Sequence, residues 1–208
     1  IYSNVNNPDA FLYHLPYSKI INDDKIILGL TNLHFRFGHI SIFQYISSLF
    51  VNSFFGINGV LIPISLLPSF FFIYCFKKFK KDFQNEDLRF FSYIIFIILI
   101  TSLYSFNRYS GWGNDAQAHI YYFLVIIYFL NLRLVDNIDN FYKLLTTSLF
   151  CFFIKPFYLI SFLIPLYFFL KSKCKLKIIK SKISIFLILF SLFWFLKNIL
   201  VSSCLVYP

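Results

Sequence analysis

The residues of this sequence able to do chemistry fall in short polar clusters between long apolar runs. Asp9 stands before the apolar segment FLYHLP, with Tyr13 and His14 following closely. At a membrane interface a carboxylate is partly desolvated, which raises its basicity, so Asp9 suits a general base that takes a proton from a hydroxyl. It equally suits a helix cap, since Pro-Asp before an apolar run is a helix-start signal. Asp115 in GNDAQAH carries the same two readings, because it too precedes an apolar run. The stretch NLHFRFGH, residues 32–39, sets Asn32, His34, Arg36 and His39 among apolar neighbours. The spacing of its histidines is not a recognised metal-ligand pattern, and an arginine holding a phosphate fits the cluster better than a histidine holding zinc. Arg108 shares a loop with Asp115, and Lys155 stands in an apolar stretch where an ammonium needs water or a partner. Snorkelling to the lipid headgroups is the alternative for Lys155, and equally for Lys197, which precedes Asn198 near the end of the last apolar run. A membrane enzyme acting on a lipid-linked substrate needs such a set. A carboxylate takes a proton from an acceptor hydroxyl, and cations neutralise a phosphate leaving group.

The elements that must position these residues are membrane helices. Apolar residues make up 59% of the chain and charged ones 13%, which leaves too little polar surface to cover a water-soluble core. Runs long enough to cross roughly 30 Å of hydrocarbon lie at residues 59–76, 90–106, 118–132 and 183–200. The stretch 144–170 is too long for one crossing and is interrupted at Lys155-Pro156. The densest positive charge lies in KKFKKDFQNEDLR, residues 77–89, and KSKCKLKIIKSK, residues 171–182, so both face the cytoplasm. Parity then makes 144–170 a hairpin of two short helices, with Lys155-Pro156 at its outer turn. The expected fold is an all-α polytopic membrane bundle of about six crossings, four single runs plus the two limbs of the hairpin. Residues 1–58 form an outer segment, and residues 59–208 form the membrane helices and short loops of one domain. Residues 41–55, apolar but interleaved with Ser, Gln and Asn, read as an interfacial or re-entrant helix. The chain lacks Met and opens on a polar stretch at Ile1, so truncation at both ends is expected.

Other classes recede on the same grounds. The net charge of +10 suggests nucleic acid, but the lysines cluster in short loops between apolar runs, as a cytoplasmic membrane surface requires. Cys75, Cys151, Cys174 and Cys204 show no metal-ligand spacing and read as small apolar fillers. No phosphate-cradling Gly-rich loop, nucleophile elbow or stacked basic-aromatic surface occurs.

The order of segments resembles the GT-C superfamily of membrane glycosyltransferases: an acid in the first outer loop, an interfacial helix, a basic inner loop, an outer loop with Arg and Asp, a hairpin broken at Lys-Pro, and a closing span. More closely, DAFLYHLPYSKIINDDKIILGLTNLHFRFGH and FLKNILVSSCLVYP resemble stretches of a bacterial family of GT-C-like multi-pass proteins. There D-x-x-x-Y-H precedes G-L-x-N-L-H-x-R-x-G, and a late span ends in R-N-x-x-x-S-G-x-L-x-Y-P. This sequence departs at Lys197, where the pattern has Arg, and at Ser203-Cys204, where Gly follows Ser. The resemblance implies transfer of a sugar from a polyprenyl-phosphate donor to a glycan or lipid acceptor, at the outer face of a bacterial inner membrane. It gives Asp9 the role of catalytic base, assigns Asp115 and Arg108 to the second-loop polar site, and places Lys155 near the lipid phosphate. With the residue-level reading, the expected catalytic residues are Asp9 and Asp115, and the substrate-binding set is Tyr13, His14, His34, Arg36, Arg108 and Lys155. Asp115 also suits a divalent cation, and neither a protein metal site nor a nucleic-acid partner is expected. Rival readings are a polysaccharide polymerase or flippase, with cations lining a membrane-deep cavity, and a non-catalytic scaffold, in which the outer polar residues do not converge.

Overall fold

The computed structural model describes residues 10–24, 26–38, 41–105, 113–134, 137–172 and 175–206. Among these the chain is helical, and its one extended pairing is an isolated bridge between Asn52 and Gly56. A π-helical turn, Ala10–His14, runs into α1, Leu15–Asp24. Two short 3-10 turns, Leu30–Asn32 and Phe35–Gly38, lead to α2, Ile42–Ser48. The long helices are α3, Leu61–Phe83, α4, Arg89–Tyr104, α5, Asp115–Leu134, and α6, Ile138–Ile154. A 3-10 stretch, Pro156–Phe162, continues into α7, Leu163–Lys171, and then come α8, Lys175–Ile179, and α9, Lys182–Ser202. Among the described residues, four helical segments are long and apolar enough to cross a membrane: Ile57–Phe83, Glu86–Tyr104, Asp115–Leu134 and Lys182–Ser202.

The helices pair along the chain, α3 with α4 and α5 with α6, and α6 then packs against Pro156–Phe162 and α7. This last pairing is the hairpin read from the sequence, and its break has a local cause. The residue before a proline is driven out of the helical region, and Lys155 is extended at φ −142°, ψ 118°. Pro156 then opens the 3-10 stretch at a position that needs no backbone donor. The limbs are short. The 17 residues of α6 reach about 25 Å, and the second limb, Pro156–Lys171, falls below the length of a crossing helix.

The long helices arrange the polar residues at two ends. At one end Phe141, Tyr142 and Ile178 pack with Leu132, and Tyr74 of α3 lies against Tyr128 of α5, on the side where the lysine-dense turns lie. At the other end Ala10 is buried against Val60, and Gly38, Asn114, Lys155 and Val206 meet. Lys77 to Phe83 are not loop as read. They continue α3, and Lys78 pairs with the buried Asp82 one turn on at 2.8 Å. Lysine is a good helix former and its stem packs along apolar surface, so the helix runs through the charge instead of stopping at it.

The segment 41–55 is also shorter in helix than read. Helix α2 starts in a capping box on Ser41 and ends at Ser48, too short to cross, and Asn52 then closes a turn by accepting from the backbone of Phe54 and Phe55. Cys75 and Cys151 are buried as small fillers, whereas Cys204 is exposed in the turn after α9, and Cys174 lies outside the described residues.

Candidate functional site

Polar residues from the N-terminal turn, the start of α5, the hairpin break and α9 converge. A cavity of about 240 Å³ is lined by Tyr13 and His14 from the N-terminal turn, Gly38, Asn114 and Asp115 at the start of α5, Phe152 to Pro156 at the hairpin break, Trp194 and Asn198 from α9, and Val206. Asp115 is the first residue of α5, where the helix dipole favours a carboxylate. The extended conformation of Lys155 turns the chain at the same height, and its Nζ forms an ion pair with Asp115 Oδ1. Lys155 therefore has a protein partner, and snorkelling does not describe it. Both side chains stay hydrated, 42% and 64% exposed, so the pair adds little to stability and is open to exchange for a ligand.

The Tyr13 and His14 rings are tilted by 40° with their centres 4.1 Å apart, and the Arg36 guanidinium lies over the Tyr13 ring at 4.9 Å. Arg36 thus stands one side chain behind the cavity wall. His34 does not reach the wall. Its ring stacks on Phe35, and its Nδ1 accepts the Arg36 backbone N–H at 3.2 Å, a local turn contact. Asp9, Arg108 and His39 lie outside the described residues. Among the described residues no group of three His, Cys, Asp or Glu side chains gathers as a metal site would require.

Below the cavity an apolar groove of about 680 Å³ runs between α6, the second hairpin limb and α9, lined by Leu145, Leu149, Leu159, Phe162, Leu163, Leu187, Leu192 and Phe195 among others. The rings of Phe152 in the cavity wall and Phe195 in the groove are 6.2 Å apart. On α6, Leu149 in the groove and Phe152 in the cavity wall stand about one turn apart.

Residues 3–208 match the model of a family described as a domain of unknown function, DUF8201. The chain belongs to the DUF8201 family. Comparison with curated proteins and with solved structures gives no match.

In this DUF8201 chain the segment after α1 packs against the end of α9. The Gly29 N–H donates to Leu200 O at 2.9 Å, and the Thr31 hydroxyl lies 3.5 Å from Val201 O. The turn after α9 is tied down by residues four apart on that helix. Asn198 Nδ2 donates to Leu205 O at 3.0 Å, and the Ser202 hydroxyl donates to Asn198 O at 2.9 Å and lies 3.3 Å from Cys204 O.

The snorkelling alternative does not describe Lys197. It is 8% exposed, its Nζ lies 3.2 Å from the centre of the Trp194 ring and 4.5 Å from that of Tyr45, and it has no hydrogen-bond partner among the described residues. Burial raises the Tyr45 phenol, and burial reinforced by Tyr45 raises Tyr17 well above its ordinary value, so neither supplies an anion. Aromatic faces surround this side chain. The signal in the sequence was the Trp194-x-x-Lys197 spacing, which puts both on one helix face.

Proposed function

We propose that this protein is a GT-C-like membrane glycosyltransferase that takes a sugar from a polyprenyl-phosphate donor and transfers it to a hydroxyl of a cell-envelope glycan or lipid. The observation that carries the reading is the polar cavity with the Asp115–Lys155 pair at the head of an apolar groove. A lipid phosphate has this shape: an anionic head for Lys155 and a long tail for the groove. In this reading the head displaces Asp115 from Lys155, and the freed carboxylate orients the acceptor or a divalent cation. Arg36 supports the phosphate from behind Tyr13, and Arg108 joins it. Asp9, carried from the sequence, is the base that deprotonates the acceptor hydroxyl. The chain crosses the inner membrane of a bacterium about six times, counting both hairpin limbs. The cavity faces the periplasm, opposite the lysine-dense turns.

The test is transfer of labelled sugar from a panel of polyprenyl-phosphate sugars by the protein in nanodiscs. Asp9→Asn is expected to abolish transfer with insertion intact. Wild-type turnover in that variant removes the base assignment. Loss of polyprenyl-phosphate binding in Lys155→Gln is expected as well, and unchanged binding there overturns the phosphate site.

Lys197 favours one second reading, a polymerase or flippase, since it is a basic side chain buried in the bundle. Under that reading the protein moves or joins intact lipid-linked units and transfers no single sugar.

A further inference from the structure

At the end of the bundle where the lysine-dense turns lie, the later turns of α5, the first turns of α6 and the head of α9 frame a further pocket of about 420 Å³. Tyr128 comes from α5, Asp139, Tyr142 and Lys143 from α6, and Ile183 from α9. The volume falls in the range of small-ligand sites, roughly 300–1,000 Å³. Asp139 and Lys143 are both exposed, and they stand four residues apart with the acid first, the order that favours an ion pair on a helix. Elsewhere such neighbours close. Lys78 reaches Asp82 at 2.8 Å, and Arg89 reaches Glu86 at 3.5 Å. Here they stay open: among the described residues neither the Asp139 carboxylate nor the Lys143 ammonium has an ion-pair partner.

The depth of the two charges points to what takes them. Helix α6 runs from this end, where Phe141 and Tyr142 pack, toward the cavity at the other end, so Asp139 lies nearer water and Lys143 nearer the hydrocarbon. Four residues of helix rise about 6 Å. One headgroup layer is of the same thickness, about 5–7 Å. A phospholipid carries its phosphate next to the glycerol and any ammonium outside it, which is the order Lys143 then Asp139 requires. Tyr128 and Tyr142 line the pocket, and tyrosine rings favour the headgroup level. The basic residues at this end attract any anionic headgroup, but an open carboxylate in the same pocket repels one and selects a head that also carries a cation. We propose that this pocket binds the headgroup of a phospholipid bearing a primary ammonium, with Lys143 on the phosphate and Asp139 on the ammonium. Both contacts are charge-assisted hydrogen bonds. A trimethylammonium head offers Asp139 no N–H, and a glycerol head offers it no charge. The lipid ties together the ends of α5, α6 and α9, and its site does not depend on the sugar-transfer reading.

Native mass spectrometry of the chain released from detergent, titrated with phosphatidylethanolamine, phosphatidylcholine and phosphatidylglycerol of matched acyl chains, measures the preference. The ethanolamine lipid is expected to bind about two- to fivefold tighter than either of the others, the scale of one exposed ion pair. Asp139→Asn is expected to bring the ethanolamine lipid down to the level of the choline lipid, and Lys143→Gln to weaken both alike. Equal binding of the three lipids by wild type, a preference for the glycerol lipid, or an ethanolamine preference that survives Asp139→Asn overturns the site, and unchanged binding in Lys143→Gln overturns the phosphate contact. Exchanging the charges, Asp139→Lys with Lys143→Asp, keeps the net charge and the spacing but inverts the depth. The ethanolamine preference is expected to vanish there, and its persistence overturns the match of depth.

Discussion

At the scale of single residues, charges that look alike in the sequence do different work. Lys155 and Asp115 meet in water at the cavity mouth, and a hydrated pair contributes well under about 1 kcal/mol. Lys155→Gln and Asp115→Asn are therefore expected to leave the thermal midpoint almost unchanged while altering lipid-phosphate affinity. A large drop in midpoint in either variant shows a structural role instead. Lys197 is the opposite case. It is buried on aromatic faces without a hydrogen-bond partner among the described residues, and replacing such a group by an apolar one of similar volume is neutral or stabilising. Lys197→Met is expected to match or exceed wild type in thermal stability, and a fall of several degrees contradicts this account.

At the scale of elements, two turns carry testable strain. Ser203 ends α9 at φ 58°, ψ 14°, a left-handed conformation that costs a residue with a Cβ about 1 kcal/mol. Ser203→Gly is expected to raise the melting midpoint by a few degrees, measured in the same detergent. Gly59 carries a different constraint: a Cβ there would meet Phe50 O at 1.8 Å, backbone that cannot swing aside. Gly59→Ala is expected to destabilise by more than about 2 kcal/mol, whereas at Gly56, with φ 58° and open space around it, alanine meets only the backbone term. Equal losses at both positions would refute the close approach of these segments.

At the scale of the whole molecule, the bundle sorts its charge between two ends. Lys80 lies in the last turn of α3, and Phe54, 86% exposed, lies in the turn before that helix begins. Cysteines placed at positions 54 and 80 in a background without native cysteines are expected to react with an impermeant reagent from opposite sides of the membrane. Labelling of both from one side removes α3 as a crossing, and the proposed sidedness with it.

The long helices were legible because apolar runs of membrane length have few other solutions: a backbone in hydrocarbon must satisfy its own hydrogen bonds. The break at Lys155 was legible for a reason just as local, the clash of a proline ring with the residue before it. Helix ends were less so, since α3 runs on through its lysines and α6 starts six residues before the apolar stretch that announced it. Long-range partners were not legible. That Lys155 reaches Asp115, that Lys197 reaches Tyr45, and that Gln44 meets His14 depend on residues far apart in the chain, and only the packing of the helices brings them within reach. Composition and short-range sterics thus determined the membrane helices and their breaks. Tertiary packing decided which polar groups share a chamber, because a hydrogen bond or ion pair acts over a few ångströms of space and carries no mark in the sequence between its ends.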